Sequence, residues 1–207
     1  MYAQFAHQQP HFAAARRPPS GTSAGFLGTL GRADLLPFRG PKDTLEKMAE
    51  FVLGDAGERS LLVRQFTEWV VRGVHPKDYL GQILAIRNAF AQPSPWRQNV
   101  PLFSYTNDPR HVELVKTPER MVREIQEHGT MLGDCDDYSV MSSTMCLQVG
   151  RNVDLVALGF APNTLSHVGA RAEEPKSGAW IWMDGVAGPR EAEASAKAKE
   201  LLVLSLD

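Results

Sequence analysis

Cys135 lies in the run Gly133-Asp134-Cys135-Asp136-Asp137-Tyr138, and a stretch of helical character from Ser139 to Val149 follows at once. A thiol at that point sits at the mouth of a helix. First-turn N–H groups there lack intrahelical partners and carry the positive end of the helix dipole, which stabilises a thiolate. Downstream, Ser166-His167-Val168 and Trp182-Met183-Asp184-Gly185 supply an imidazole and a carboxylate, so the chain order is Cys, His, Asp. A cysteine nucleophile needs a base within hydrogen-bond reach, and the base needs a third group to fix its tautomer. The chemistry this trio suits is acyl transfer.

The aspartates beside the thiol act in two directions. Asp134 is a natural N-cap, and Asp136 and Asp137 in the first turn complement the dipole and can accept from free N–H groups while pointing away from the sulfur. As neighbouring carboxylates, they also disfavour the thiolate. Pairing with a protonated His167, rather than the dipole alone, is therefore the expected source of thiol reactivity. Taken singly, each residue has an ordinary reading: a buried cysteine, a structural strand histidine and a turn aspartate. Cys146, on the same helix, is best explained as a small buried hydrophobe.

The elements that must position these residues follow from the pattern of apolar positions. Pro41-Lys42-Asp43-Thr44 opens a helix carrying Leu45, Met48, Ala49 and Val52, stopped by Gly54. Further helices are expected over Glu58–Val74 and Pro76–Ala91, and another from Thr117-Pro118-Glu119 towards Gly129. A short extended segment is expected at Leu102–Tyr105. Beyond the Cys135 helix, Val153–Phe160, His167–Ala172 and Ala179–Met183 are short, rich in β-branched and aromatic residues and separated by turn formers, which predicts an antiparallel meander. A closing helix from Gly188 and a last strand at Leu201–Leu204 complete the chain. Helices first and strands afterwards argue for an α+β fold, with the Cys-bearing helix and the N-terminal helices packed on an antiparallel sheet. Strand alternation sets His167, Gly169 and Arg171 on one face, the face expected to look at the thiol.

Residues 1–40 are rich in Pro, Gly and Gln with scattered aromatics, which predicts a flexible or partner-docking arm. Residues 41–207 form the domain, helical over 41–95, with the Cys, His and Asp motifs in 96–207. The 207 residues, 43% hydrophobic and 22% charged, suffice for one core plus an appendage. A net charge of −2, without a long basic run, argues against a nucleic-acid partner. No apolar run reaches the length of a membrane span, and no export signal opens the sequence. The two cysteines are eleven residues apart on one helix, roughly 16 Å along its axis, too far for an internal disulfide. A chain without disulfides suits a reducing compartment, which points to the cytoplasm. The six histidines are scattered and no paired-Cys or paired-His spacing occurs, so neither a metal nor a cofactor is expected.

The three motifs together resemble the transglutaminase-like superfamily, whose papain-type fold carries Cys, His and Asp in this order. The likeness extends upstream through Phe103-Ser-Tyr105-Thr-Asn-Asp108-Pro109 and Glu113-Leu-Val-Lys-Thr-Pro118-Glu119, a segment similar to that of small phage and prophage members, and covers roughly residues 42–190. It implies a Cys135 helix packed on a sheet bearing His167 and Asp184, and a peptide or protein amide as substrate. Hydrolysis and transamidation share the acylation step, so both stay open, as does a non-enzymatic phage structural or assembly protein that keeps the fold and docks onto other phage proteins through residues 1–40. For the oxyanion, the Cys135 N–H is the natural first donor, with Tyr105 preferred over Trp96 as the second. A core tyrosine is the other reading of Tyr105. The sequence departs from the family pattern at Tyr138, where many members have histidine or a small residue, and at Val168-Gly169, where an aromatic is usual. Its stretch 92–100 is longer than the usual link and is expected to form a lip over the site.

Overall fold

The computed structural model describes residues 33–37, 40–95, 97, 100–108, 112–161, 165–183 and 197–206. Five helices and eight strands are defined there, an α+β arrangement: β1 Ala33–Pro37, α1 Pro41–Leu53, α2 Leu61–Val71, α3 Tyr79–Ala89, β2 Phe103–Tyr105, β3 Val112–Lys116, α4 Pro118–His128, β4 Met131–Gly133, α5 Cys135–Gln148, β5 Val153–Gly159, β6 His167–Glu174, β7 Ala179–Trp182 and β8 Glu200–Ser205. The predicted closing helix and the third motif's Asp184 lie outside the described residues. None of the described helices is long and apolar enough to cross a membrane.

Local chemistry explains the helix boundaries. Proline occupies the first turn of α1 and of α4, where its missing N–H costs nothing. Ser60, Asp78 and Thr117 cap α2, α3 and α4 by accepting from the N–H groups of Val63, Gly81 and Arg120. Gly129 ends α4 in the left-handed region at φ 80°, donating back to the Ile125 carbonyl. The predicted helices at Glu58–Val74 and Pro76–Ala91 are shorter in the fold, because Ser60 and Asp78 cap them later than apolar periodicity alone suggests.

Helix α5 is the axis of the molecule. Every residue from Asp136 to Cys146 is buried, with α1, α2, α3 and α4 packed around one side and β6 and β5 on the other. A helix buried all round cannot show an amphipathic stripe. Three of its small polar residues return their hydroxyls to the helix, among them Ser139 Oγ, which donates to the Cys135 carbonyl at 2.6 Å, and Thr144 Oγ1, which donates to that of Val140 at 2.8 Å, while Ser143 Oγ is buried without a partner among the described residues. They leave a low surface on which the sheet packs through Ala157, Ala170 and Ala172. At its far end Gln148 accepts from Thr67 Oγ1 at 2.7 Å and donates to the Glu58 carbonyl at 3.0 Å, tying α5 to α2 and the turn before it.

The main sheet runs β7-β6-β5-β8, antiparallel throughout, so the expected meander is joined by the last strand on the far side of β5. Two smaller pairings lie outside it. β1 and β3 pair antiparallel, with Leu35 opposite Leu114. Five residues of the predicted arm, Ala33–Pro37, are therefore strand, and the ordered fold starts before residue 41. β2 and β4 pair in parallel, with Tyr105 opposite Gly133. None of β1, β3 and β4 was anticipated, for each is short and is specified by a distant partner rather than by its own alternation.

Candidate active site

The β2·β4 pairing builds one wall of the site. It sets Tyr105 against Gly133, and the Thr106 N–H donates to the Gly133 carbonyl at 2.7 Å. Glycine is required at 133, since a Cβ there would stand 2.4 Å from Asp137 Oδ2 and 2.6 Å from Asp137 Cβ. The chain then turns through Asp134, whose side chain caps α5 by accepting from the Asp136 N–H at 3.3 Å. This puts Cys135, half-buried and not in a disulfide, at the first position of the helix.

The two aspartates that follow turn inward. Asp137 accepts from the Lys116 N–H at 2.9 Å and faces the Lys116 ammonium at 3.7 Å. Lys116 also reaches Glu124 at 3.3 Å and the Leu132 carbonyl, and Arg120 holds the other Glu124 oxygen at 3.0 Å. Burial pushes the Asp137 carboxyl up to about 8, although Lys116 pulls it down. Asp136 is 1% exposed, and burial first, then its contacts with Asp134 and Asp137, push its carboxyl well above the ordinary range. Asp108, in the loop after β2, is also pushed up by burial while accepting from the Leu114 N–H. Oxygens of Asp134, Asp136 and Asp137 lie within 4.8 Å of one another, making these the described residues best grouped to hold a cation. Lys116 was missed in the sequence; its signal is a lysine in a strand, 21 residues from one carboxylate and 8 from another.

His167 opens β6 opposite Leu158 and approaches from the other side. Cys135 and His167 line the same cavity, about 280 Å³ in volume. Tyr105, Asn107 and Asp134 close it on the β2 side, and Pro41 and Thr44 close it from α1. The structure thus gathers Cys135, His167, Tyr105 and Asp134 around one space. Tyr105 is 49% exposed, which removes the core-tyrosine reading. Tyr138, by contrast, is core: its ring packs edge-on against Phe90 and Phe103, and its hydroxyl donates to the Arg87 carbonyl at 2.9 Å. Trp96 and Asp184 are outside the described residues.

One expectation is corrected. The face of β6 turned to α5 is the apolar one, with Ala170 and Ala172 in the core and the Val168 carbonyl 3.5 Å from Ser139 Oγ. Arg171 instead pairs across the strands with Asp154 at 2.7 Å and lies over the Trp180 ring. The low helix surface accepts alanine, whereas a charged arginine there would lose its water. His167 meets the cavity from the end of the strand, not as one of a polar row. Of the stretch 92–100, expected as a lip, residues 96, 98 and 99 lie outside the described residues. Its ends are joined by the Ser94 N–H to the Val100 carbonyl at 2.6 Å, and Arg97 reaches the His128 carbonyl at the end of α4.

A second cavity of about 300 Å³ opens between α2 and α3, lined by Trp69, Arg72, Ala85 and Leu102 among others, and brings no nucleophile and base together. No protein-family model matches the chain, and neither does any curated protein or solved structure. The functional reading rests on the residues around Cys135.

Proposed function

We propose that this chain is a cysteine acyl-transfer enzyme of the transglutaminase-like class, hydrolysing an amide or peptide bond through a thioester on Cys135. The shared cavity carries the reading: a half-buried thiol at a helix N-terminus and an imidazole at a strand end line one space, with a tyrosine on its rim. A cysteine helix packed on an antiparallel sheet also supports the transglutaminase-like core that the motifs resemble. In this scheme His167 takes the thiol proton and the sulfur attacks the carbonyl carbon. The C–N bond breaks as His167 returns the proton to the leaving amine. Water, deprotonated by His167, then cleaves the thioester to a carboxylic acid and restores the thiol. The Cys135 N–H and the Tyr105 hydroxyl are assigned to the oxyanion and Asp184 to orienting His167.

The carboxyl groups beside the thiol favour a second reading, a phage structural or assembly protein that keeps the fold without catalysis. Alkylation by iodoacetamide across pH, on the wild type, Cys135→Ala and His167→Ala, separates the two. Catalysis requires labelling at Cys135 faster than a free thiol allows, slowed by His167→Ala, with Cys146 unlabelled because burial pushes its thiol up to about 12. A rate no faster than a free thiol's and indifferent to His167 overturns the enzymatic reading. Mass spectrometry of the trapped acyl group, with and without an added primary amine, then separates hydrolysis from cross-linking.

A further inference from the structure

The main sheet ends on two strands of different character. β7, at one edge, is four residues long, and the Arg171 guanidinium of its neighbour lies 4.6 Å from the centre of the Trp180 ring. β8, at the other edge, is six residues long and pairs only with β5 among the described residues. Its register runs unbroken from Glu200 opposite Gly159 to Ser205 opposite Asp154, without a bulge. The strand also holds neither proline nor lysine, so the usual guards of an open edge are missing.

The ladder fixes where the backbone of β8 points. The Leu206 N–H donates to the Val153 carbonyl at 2.9 Å, one step beyond the Ser205–Asp154 pair. Bonded and non-bonded pairs alternate in an antiparallel ladder, so Leu202 and Leu204 turn their backbone groups to β5 while Leu201 and Val203 turn theirs to the open edge. The side chains of the outward pair are bare as well, Leu201 57% and Val203 38% exposed. One exposed leucine is ordinary on a protein surface. Two apolar residues on an unguarded edge, with their N–H and C=O groups turned away from the sheet, form a template for another strand.

The sequence of β8 selects that strand. Leu201-Leu202-Val203-Leu204 is apolar at every position, so an added strand must be apolar on both faces. Two exposed lysines, Lys197 and Lys199, precede β8, and Asp207 follows it in the sequence. An antiparallel copy of the same strand meets both demands. Centred on Val203, it sets Leu202 against Leu204 and residue 199, a lysine, against residue 207, an aspartate, whereas a parallel copy sets like charge against like.

We propose that β8 is a homodimer seam: two copies of this chain pair antiparallel about Val203, which exchanges both backbone hydrogen bonds with its counterpart, and the two sheets become one. A two-fold axis at Val203 uses up both β8 edges, so the pairing closes at two copies. Each copy keeps its own Cys135 and His167, and the seam is independent of the acyl-transfer reading.

Sedimentation velocity of the full chain over a dilution series tests the seam. The expected result is a dimer that dissociates on dilution. Val203→Lys sets two like charges face to face and should weaken the dimer by on the order of tenfold, with the far-ultraviolet circular dichroism unchanged. A full chain that stays monomeric up to its solubility limit overturns the proposal. A dimer left intact by both Val203→Lys and Leu201→Lys also overturns it, because the seam then lies elsewhere, and so does growth into larger species, because the edge then fails to close. If the full chain is monomeric and a chain starting at residue 32 dimerises, residues 1–31 cover the edge in place of a second copy, and the proposal falls. The register is read in a Cys135→Ala background, which removes the half-buried thiol. There Val203→Cys should form an intermolecular disulfide on mild oxidation, since bonded pairs stand about 5.5 Å apart at Cα, within disulfide reach. Leu61→Cys, exposed at the start of α2, should not. No disulfide at Val203→Cys, or as much at Leu61→Cys, overturns the proposal even where the lysine variants fail to fold.

Discussion

At the scale of single residues, the motif around Cys135 divides its labour. Cys135 faces the cavity, while Tyr138, Asp136 and Asp137 are buried and serve the helix and its surroundings. Gly133 makes that division possible by leaving room for the Asp137 carboxyl. Gly133→Ala should therefore destabilise the fold by about 1–3 kcal/mol, the usual range for overpacking, read as a lower urea midpoint at an unchanged slope. The contacting atoms include Asp137 Cβ, which cannot swing away as a side-chain tip would. Cys135, Asp134 and His167 were legible in the sequence because their chemistry is local: a thiol and a cap at a helix start, an imidazole at a strand start. Lys116 was not, since a buried lysine is explained only by carboxylates brought to it by α4 and α5.

At the scale of elements, helices with capping residues and the strands of the main sheet were readable, as was the short β2, whereas β1, β3 and β4 were not. α1 and α4 appear where proline and glycine set them, whereas β4 is three residues long and exists only as the partner of β2. The faces of β6 show the limit of pattern reading: alternation identifies two faces, but the surface of α5 chooses between them. The alanine face packs into the core beside a helix on which the Ser139 and Thr144 hydroxyls are bonded to their own backbone. β1 joins residues before 41 to the fold through β3, and truncation tests what that pairing contributes. The comparison is between a chain starting at residue 32, which keeps β1, and a shorter one. One starting at residue 40 loses the partner of β3, exposes its backbone edge and should show a lower melting temperature and a greater tendency to aggregate.

At the scale of the whole molecule, burying a helix that carries Asp136 and Asp137 ties stability to pH. The folded Asp137 carboxyl titrates near 8 against an ordinary 3.8, so between those values the folded chain holds more protons than the unfolded one. Stability then falls as pH rises across that window: the contribution is full below 3.8 and is lost as pH passes through about 8. Urea midpoints for the wild type should decline from the acid to the alkaline side of this window, and Asp137→Asn should flatten the decline. A wild-type midpoint that rises across the window would contradict the burial of this group. The α+β organisation was legible because helical and strand patterns occupy separate halves of the chain; the wrapping of four helices around α5 was not, since a helix buried on every side leaves no stripe.

The parallel pairing of β2 with β4 also governs how the cavity can change shape. Tyr105 and Cys135 hang from one two-stranded yoke, so the rim and the nucleophile travel as a single jaw. Admitting a bulkier guest then falls to the α1 side, where Pro41 and Thr44 line the cavity and neither Cys135 nor His167 has to move.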